Sequence, residues 1–234
     1  MQKLRELCKN INITLDETAL ERFRIYMNLV LEWNEKINLT AITDRDEFII
    51  KHFYDSITLL SCTDIKNGAK VIDIGTGAGF PGIPLLIVRP DIKLTLLDSL
   101  NKRILFLKET ILPNLDLSAE TIHGRAEDYS KLPQYRERYD YAVSRAVANL
   151  SALSEYCMPF VGKGGEFISM KGPDIHEELD IAQSAIRTLG GAVKEVRIMS
   201  LPDNSGRSIV IVKKINKTPD KYPRRGVKIN KNPL

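Results

Sequence analysis

Three alternating glycines follow the first strand-like apolar run of the chain. The segment reads VIDIGTGAGFPGIPL (71–85), and its glycines are Gly75, Gly77 and Gly79. Residues without a Cβ atom tolerate positive φ angles and allow a ligand to approach the backbone. In an open parallel sheet, ligands bind outside the carboxyl ends of the strands, which is where this loop would lie. The stretch therefore predicts a binding site for a nucleotide-like cofactor.

The spacing of this loop and a later acidic residue bear on which cofactor binds. A pyrophosphate site favours GxGxxG, in which the third glycine lets a helix N-terminus face the phosphate. Here the bulky Phe80 and Pro81 follow the alternating glycines instead. Asp98 ends the next apolar run, where a carboxylate accepts hydrogen bonds from a ribose diol, in NAD and S-adenosylmethionine equally. Capping the following helix is the alternative role for Asp98. The loop, together with a terminal hairpin, favours S-adenosylmethionine.

Ionisable residues also lie within or after the other strand-like runs. Asp73 lies inside the first run, and we expect it to organise the glycine loop, because a buried carboxylate needs partners. Glu127 follows the third strand, where it could read an adenine edge or cap a helix. Arg145 ends the fourth strand; it is placed to meet a carboxylate or phosphate, or is an ordinary surface cation. Lys171 ends the fifth strand and adds positive charge to the same rim.

The elements that position these residues alternate from Ala69 onward. Seven strand-like runs, most of them separated by helical patterns, indicate an α/β fold with a mostly parallel sheet and helices on both faces. Only PDNSG separates the last two strands, which predicts an antiparallel hairpin at the sheet edge. Residues 1–66 show helical periodicity without a strand signal, which predicts a cap of about four short helices. We therefore expect a helical cap (1–66), an α/β domain (67–214) and a basic tail (215–234).

Positive charge is concentrated at the C-terminus. The whole chain carries +4, whereas its last 22 residues hold eight Lys and Arg against one acidic residue. Three prolines and a glycine in that stretch argue against a regular helix. The composition indicates an extended arm that contacts a polyanion, with nucleic acid as the leading candidate. A solvated, solubilising terminus is equally compatible with it.

Composition also excludes several classes of protein. The chain has no apolar run long enough to span a membrane and no secretory signal pattern. Its three cysteines lie far apart and form no CxxC motif, which argues against disulfides and a zinc site. This pattern favours a location in the reducing cytoplasm. We expect Cys157 to be a buried packing residue and His52 to be structural. No metal site is predicted.

These motifs together resemble the glucose-inhibited division protein B family, the bacterial 16S ribosomal RNA guanine-N7 methyltransferases. The resemblance covers nearly the whole chain and is far more specific than the glycine loop alone. It is carried by the motifs WNEKINLT, HFYDS, DIGTGAGFPGIPL, LLDSLNKRILFL, GRAED, SRAVANL, MKG and PRRGVKINKNPL.

The resemblance implies a class I S-adenosylmethionine-dependent methyltransferase fold with an N-terminal helical extension. Motif by motif, it assigns cofactor contacts to Gly75, Phe80, Ala126, Glu127 and Arg145. We add Gly77 because it lies in the glycine loop, and Asp98 because a carboxylate at the end of the second strand can bind a ribose diol in folds of this type.

The resemblance also implies the reaction, which is transfer of a methyl group to N7 of a guanine in 16S ribosomal RNA or the small ribosomal subunit. N7 carries an in-plane lone pair and no proton, so no general base is required and positioning carries the catalysis. We predict Arg145 as the catalytic residue, and Lys171, Arg224 and Arg225 as substrate contacts.

Two other functions remain open from the residues alone. One is a non-catalytic protein that binds ribosomal RNA and keeps the fold. The other is an NAD-dependent oxidoreductase, which the loop spacing disfavours. Calorimetry with S-adenosylmethionine and NAD separates the three.

Overall fold

The computed structural model describes residues 1–145 and 148–234. Ala146, part of the SRAVANL motif, lies outside these residues. The described chain forms one seven-stranded sheet in the order β3-β2-β1-β4-β5-β7-β6. The strands are β1 Lys70–Ile74, β2 Lys93–Asp98, β3 Glu120–His123, β4 Tyr139–Arg145, β5 Val161–Lys171, β6 Gly191–Ser200 and β7 Gly206–Lys214.

The sheet is parallel from β3 through β5, and the last two strands form the predicted antiparallel hairpin. β7 lies between β5 and β6, which leaves β6 at the edge. The strand order reverses between β1 and β4, so a crevice opens at the carboxyl ends of these two neighbours. This is the edge at which the sequence placed the candidate residues.

Helices cover both faces of the sheet. Their bounds are α1 Gln2–Lys9, α2 Glu17–Ile37, α3 Arg45–Phe48, α4 Asp55–Cys62, α5 Gly82–Val88, α6 Asn101–Leu105, α7 Leu112–Asn114, α8 Ala126–Tyr129, α9 Leu150–Cys157, α10 His176–Thr188 and α11 Gly226–Lys231. π-Helical segments join α3 to α4 (Ile49–Tyr54) and α6 to α7 (Phe106–Ile111). A short 3-10 turn, Met158–Phe160, follows α9.

The N-terminal helices differ from the short helices that we expected. α2 has 21 residues, and the side chain of its N-cap, Asp16, accepts a hydrogen bond from the Ala19 amide. Its apolar side, with Phe23 and Tyr26, belongs to the same hydrophobic core as Val71 of β1. The helices of residues 1–66 therefore share the hydrophobic core on one face of the sheet and can support the loops at its edge.

The C-terminal segment is folded, contrary to the expectation of an extended arm without helix. α11 occupies Gly226–Lys231, and Thr218, Tyr222 and Ile229 are buried. The prolines at 219 and 223 precede this helix instead of interrupting it, so they do not prevent its formation.

Candidate active site

The glycine loop after β1 is held from behind by its own strand. All three alternating glycines have positive φ, at 72°, 61° and 109° for Gly75, Gly77 and Gly79. The buried Asp73 carboxylate accepts hydrogen bonds through Oδ2 from the Thr76 hydroxyl (2.7 Å) and the Gly82 amide (2.8 Å). Asp73 therefore joins the two ends of the loop, as expected of a loop organiser.

The amides of the loop are turned towards the neighbouring strand. The Gly75 and Thr76 amides donate to the Leu97 carbonyl at 2.9 and 3.1 Å. The Gly77 amide donates to Asp98 Oδ2 at 2.9 Å. A phosphate-binding loop presents its N–H groups to the ligand. This loop uses those groups internally, which disfavours a pyrophosphate cofactor.

The Asp98 carboxylate is nearly fully buried by contacts within the protein. Besides the Gly77 amide, it accepts from the Leu100 amide (Oδ1, 2.8 Å), and Arg103 Nη1 lies 3.4 Å from Oδ2. It therefore fixes the glycine loop against the start of α6. A direct contact between Asp98 and a cofactor stays a prediction.

A cavity of about 370 Å³ lies at the carboxyl ends of the strands. It falls within the size range of small-molecule sites. It is lined by Ile74, Gly75, Leu97, Ser99, Gly124, Arg125, Ala126, Glu127, Ala148, Tyr156, Gly226, Val227 and Asn230. We call it the nucleoside cavity, because its aliphatic and aromatic wall combined with one carboxylate suits a purine nucleoside.

Glu127 provides the carboxylate of the nucleoside cavity. Its side chain is only 9% exposed, and its nearest cation is Arg125 Nη1, 3.8 Å from Oε1. Within the described part of the chain, the carboxylate accepts no hydrogen bond of normal length. A buried carboxylate needs donors, so Glu127 is ready to accept hydrogen bonds from a ligand.

A second cavity, of about 430 Å³, lies on the other side of the end of β4. We call it the cationic cavity. It is lined by Ile42, Lys51, His52, Asp55, Arg145, Met170, Lys171, Gly172 and Arg207. Arg145 lines this cavity and Ala148 lines the nucleoside cavity, so the two lie three residues apart along the chain.

Arg145 joins the sheet to the N-terminal helices. Its Nη1 donates to the Lys51 carbonyl (3.0 Å) and to Asp55 Oδ2 (3.1 Å), and its guanidinium carbon lies 5.0 Å from the centre of the Phe80 ring. Burial lowers the pKa of Arg145, and the carboxylate of Asp55 opposes that shift. Arg145 is thus a largely buried, paired cation and not an ordinary surface one.

His52 is held neutral between Arg145 and Thr40. Arg145 Nη2 lies 3.1 Å from Nδ1 and can only donate, so Nδ1 accepts and Nε2–H donates to Thr40 Oγ1 at 2.7 Å. Burial, reinforced by the charge of Arg145, lowers the pKa of His52 to about 3. Its ring stacks on Phe80 with centroids 4.5 Å apart. These contacts support the structural role that we expected for His52.

Besides Arg145, three further cations line the cationic cavity: Lys51, Lys171 and Arg207. Lys171 Nζ lies 2.7 Å from Glu178 Oε1 and donates to the Ala148 carbonyl at 2.8 Å. Arg207 Nε lies 3.1 Å from Asp55 Oδ1, so Asp55 is shared by Arg145 and Arg207. Arg145 and Arg207 thus share the buried carboxylate of Asp55, whereas Lys171 pairs with the partly exposed Glu178.

The structure divides the residues predicted for the cofactor between two places. Gly75, Ala126 and Glu127 line the nucleoside cavity. Gly77, Phe80, Asp98 and Arg145 do not line it; the first three lie in or behind the glycine loop, and Arg145 lines the cationic cavity together with Lys171. All of these assignments stay predictions.

The predicted substrate contacts Arg224 and Arg225 line neither cavity. Arg224 binds the carboxylate of the fully buried Glu155 through Nε (2.9 Å) and Nη2 (2.6 Å). Arg225 is exposed. The structure therefore gives Arg224 an anchoring contact, and leaves Arg225 as the accessible cation of the pair.

Sequence reasoning missed several lining residues. Tyr156 lies in a helical segment without a local motif, and Val227 and Asn230 lie in the motif PRRGVKINKNPL, which was interpreted only through its charge. Asp55 of the cationic cavity carried more signal, because it lies in the motif HFYDS, whereas Arg207 lies in none of the motifs named above.

The described residues contain no helix that is long and apolar enough to cross a membrane. Among the same residues, no three His, Cys, Asp or Glu side chains are grouped in a way that could hold a metal ion.

The strand order, the edge hairpin and the cavity at the carboxyl ends of the strands define the class I methyltransferase fold. Solved structures share it: a complex of the Haloferax volcanii Trm112 methyltransferase activator with a putative methyltransferase (TM-score 0.59, 14% identity, 80% of this chain, 97% of that one). Another is precorrin-6y C5,15-methyltransferase from Geobacter metallireducens, with a TM-score of 0.53 and 15% identity over 68% of this chain and 87% of that one. At these identities, the likeness concerns the fold alone.

The chain belongs to the GidB family, described as rRNA small subunit methyltransferase G, whose sequence profile matches residues 19–208. It is 48% identical to ribosomal RNA small subunit methyltransferase G of Clostridium botulinum (strain Loch Maree) over 233 residues, which is 99% of this chain and 97% of that protein. The protein of the same name from Desulforamulus reducens is 49% identical over 232 residues, with the same coverage. The resemblance read from the motifs is thereby confirmed.

Proposed function

We propose that this protein transfers a methyl group from S-adenosylmethionine to N7 of a guanine in 16S ribosomal RNA. The observation that carries the proposal is the pair of cavities at the end of β4: one has a single carboxylate, that of Glu127, and an apolar wall, and the other is lined by cations. A small nucleoside-containing donor suits the first cavity, and a polyanion suits the second. Since ribosomal RNA is the proposed substrate, we place the protein in the cytoplasm.

The residues of the nucleoside cavity fit S-adenosylmethionine. Glu127 offers carboxylate oxygens to hydroxyl or amino donors, and Leu97, Tyr156 and Val227 offer an apolar wall to a purine. The loop amides donate their hydrogen bonds within the protein, so few N–H groups are left to bind a pyrophosphate. This disfavours NAD. When bound, S-adenosylmethionine supplies an electrophilic methyl group.

The cationic cavity would hold the acceptor nucleotide. Lys51, Arg145, Lys171 and Arg207 all line it, and cations of this kind bind phosphate or the electron-rich O6 edge of a guanine. Guanine N7 has a free lone pair, so the site needs no base to remove a proton. His52 agrees with that requirement. It is neutral, and each of its ring nitrogens already takes part in a hydrogen bond, so neither is free to act as a base.

N7 faces the major groove, which is too deep and narrow in A-form RNA for side chains to read. The target guanine would therefore lie in a loop or be flipped out of its helix. Exposed cations of the C-terminal segment are the candidates for holding the flanking phosphates.

One experiment tests cofactor, substrate and reaction together. Small ribosomal subunits from a strain that lacks this gene are incubated with the protein and radiolabelled S-adenosylmethionine, and label is mapped by cleavage at 7-methylguanine. Label at one guanine is the expected result. Label at another atom or base would overturn the N7 assignment, and donor binding without any label would show that this RNA is not the substrate.

A further inference from the structure

The C-terminal segment reaches the nucleoside cavity from the far end of the sequence. Gly226, Val227 and Asn230 line this cavity, opposite the end of β1 and beside Glu127. None of these three belongs to the glycine loop or to a strand end, where cofactor contacts are expected in this type of fold.

Two neighbouring residues of α9 fix the position of this segment. Glu155 is fully buried and accepts from the Arg224 amide at 2.7 Å as well as from its guanidinium. Tyr156 donates its hydroxyl to Asn230 Oδ1 at 3.0 Å. Residues 224–230 are thus held at both ends by specific contacts with α9, which fix the wall that they form in place.

Gly226 touches the only carboxylate described in the cavity wall. It is buried, and a methyl group on its Cα would overlap Oε1 of Glu127 and lie 3.0 Å from Cδ. Its φ is outside the positive range, so glycine is needed here for space and not for backbone conformation. Any larger residue must displace Glu127 or α11.

We propose that residues 224–230 form a wall of the methyl-donor site, with Gly226 as a positioning residue for Glu127. The inference rests on the proposed function. The segment closes the side of the cavity on which Tyr156 and Val227 meet a purine, and the missing side chain at 226 leaves the Glu127 carboxylate directed at the donor's hydroxyl or amino groups.

The first test is Gly226→Ala, measured by calorimetry with S-adenosylmethionine and S-adenosylhomocysteine. We expect both dissociation constants to rise at least about tenfold, equivalent to about 1.4 kcal/mol. Lys231→Ala is the matched control, because Lys231 is an exposed residue of the same helix that does not line the cavity. Its donor affinity should equal that of the wild type.

A double-mutant cycle tests the route of the effect. If Gly226→Ala acts by displacing Glu127, it should change donor affinity less than about twofold in a Glu127→Ala background, where no carboxylate is left to collide with. The same tenfold loss in both backgrounds would show that Gly226 does not position Glu127.

A second variant covers the case in which Gly226→Ala does not fold. Val227 lines the cavity but is 66% exposed, so Val227→Asp should be tolerated while it brings a second carboxylate beside Glu127. We expect at least a threefold loss of donor affinity. Unchanged affinity in folded Gly226→Ala or Val227→Asp overturns the inference alone, provided that the wild type binds the donor. A wild type that binds no donor overturns the proposed function, and the inference with it.

Discussion

Arg145 joins the sheet to the N-terminal helices and lines the cationic cavity. We predict that Arg145→Lys lowers kcat more than tenfold, because a lysine ammonium cannot reproduce the planar contacts to Lys51, His52 and Asp55. The dissociation constant for S-adenosylmethionine should change less than about threefold, since Arg145 does not line the nucleoside cavity. Single-turnover kinetics and calorimetry on the same preparation measure both. Wild-type kcat in a folded variant would remove Arg145 from the reaction.

His52 gives the fold a dependence on pH that can be isolated. Its pKa is about 3 in the folded protein against a usual 6.5, so the unfolded chain takes up the proton first as the pH falls. The free energy of unfolding should therefore decrease between pH 6.5 and 3, by at most about 1.4 kcal/mol per pH unit. His52→Gln does not titrate, so urea unfolding of the two proteins should give stability curves that converge towards low pH. Parallel curves would contradict the assignment.

At the scale of elements, the ion pair between Arg224 and Glu155 of α9 anchors the C-terminal segment, and its loss should lower the free energy of unfolding. Arg224→Ala would leave the fully buried Glu155 charge without its guanidinium partner, which typically costs about 3–5 kcal/mol. Arg225→Ala, at the exposed neighbouring position, should stay within about 0.5 kcal/mol of the wild type. Urea unfolding measures the free energy of unfolding of both variants. Equal values would show that the Arg224–Glu155 pair does not anchor the segment.

Local pattern predicted the elements well where pattern and environment agree. The alternation of β-rich and helical runs identified the seven strands and the edge hairpin, because each strand is a short apolar run bounded by turn residues. The same reasoning missed α11, since prolines at 219 and 223 argue against helix only at and just before their own positions. It also missed the length of α2, which runs for 21 residues where only short helices were expected.

The candidate site shows the limit of such prediction at the scale of the whole molecule. The glycine loop, GRAED and SRA are local motifs, so their residues could be placed at strand ends from sequence alone. The contact of Arg224 with Glu155 joins residues 69 positions apart, and that of Arg145 with Asp55 joins residues 90 apart. Only the folded chain shows that the tail is a wall of one cavity and that HFYDS contributes to the other.

The distribution of charge over the whole molecule predicts how RNA binding responds to salt. Arg225 and Lys228 are exposed on the C-terminal segment, beyond the anchor that holds it against the nucleoside cavity. Each cation that neutralises a phosphate contributes about 0.7–0.9 to the slope of log K against log salt. The double variant Arg225→Gln/Lys228→Gln should therefore bind 16S ribosomal RNA more weakly, with a slope lower by about 1.4–1.8, because two neutralised phosphates are lost.

The matched control for this variant removes two charges that line neither of the two cavities. Lys9 lies on α1 and Lys163 near the opposite end of β5 from Lys171, and both are exposed. Lys9→Gln/Lys163→Gln lowers the net charge equally, so a long-range effect of total charge would lower both slopes alike. Filter binding over a salt series distinguishes the two cases. A reduced slope in the tail variant alone would show that the C-terminal segment contacts phosphates of the RNA.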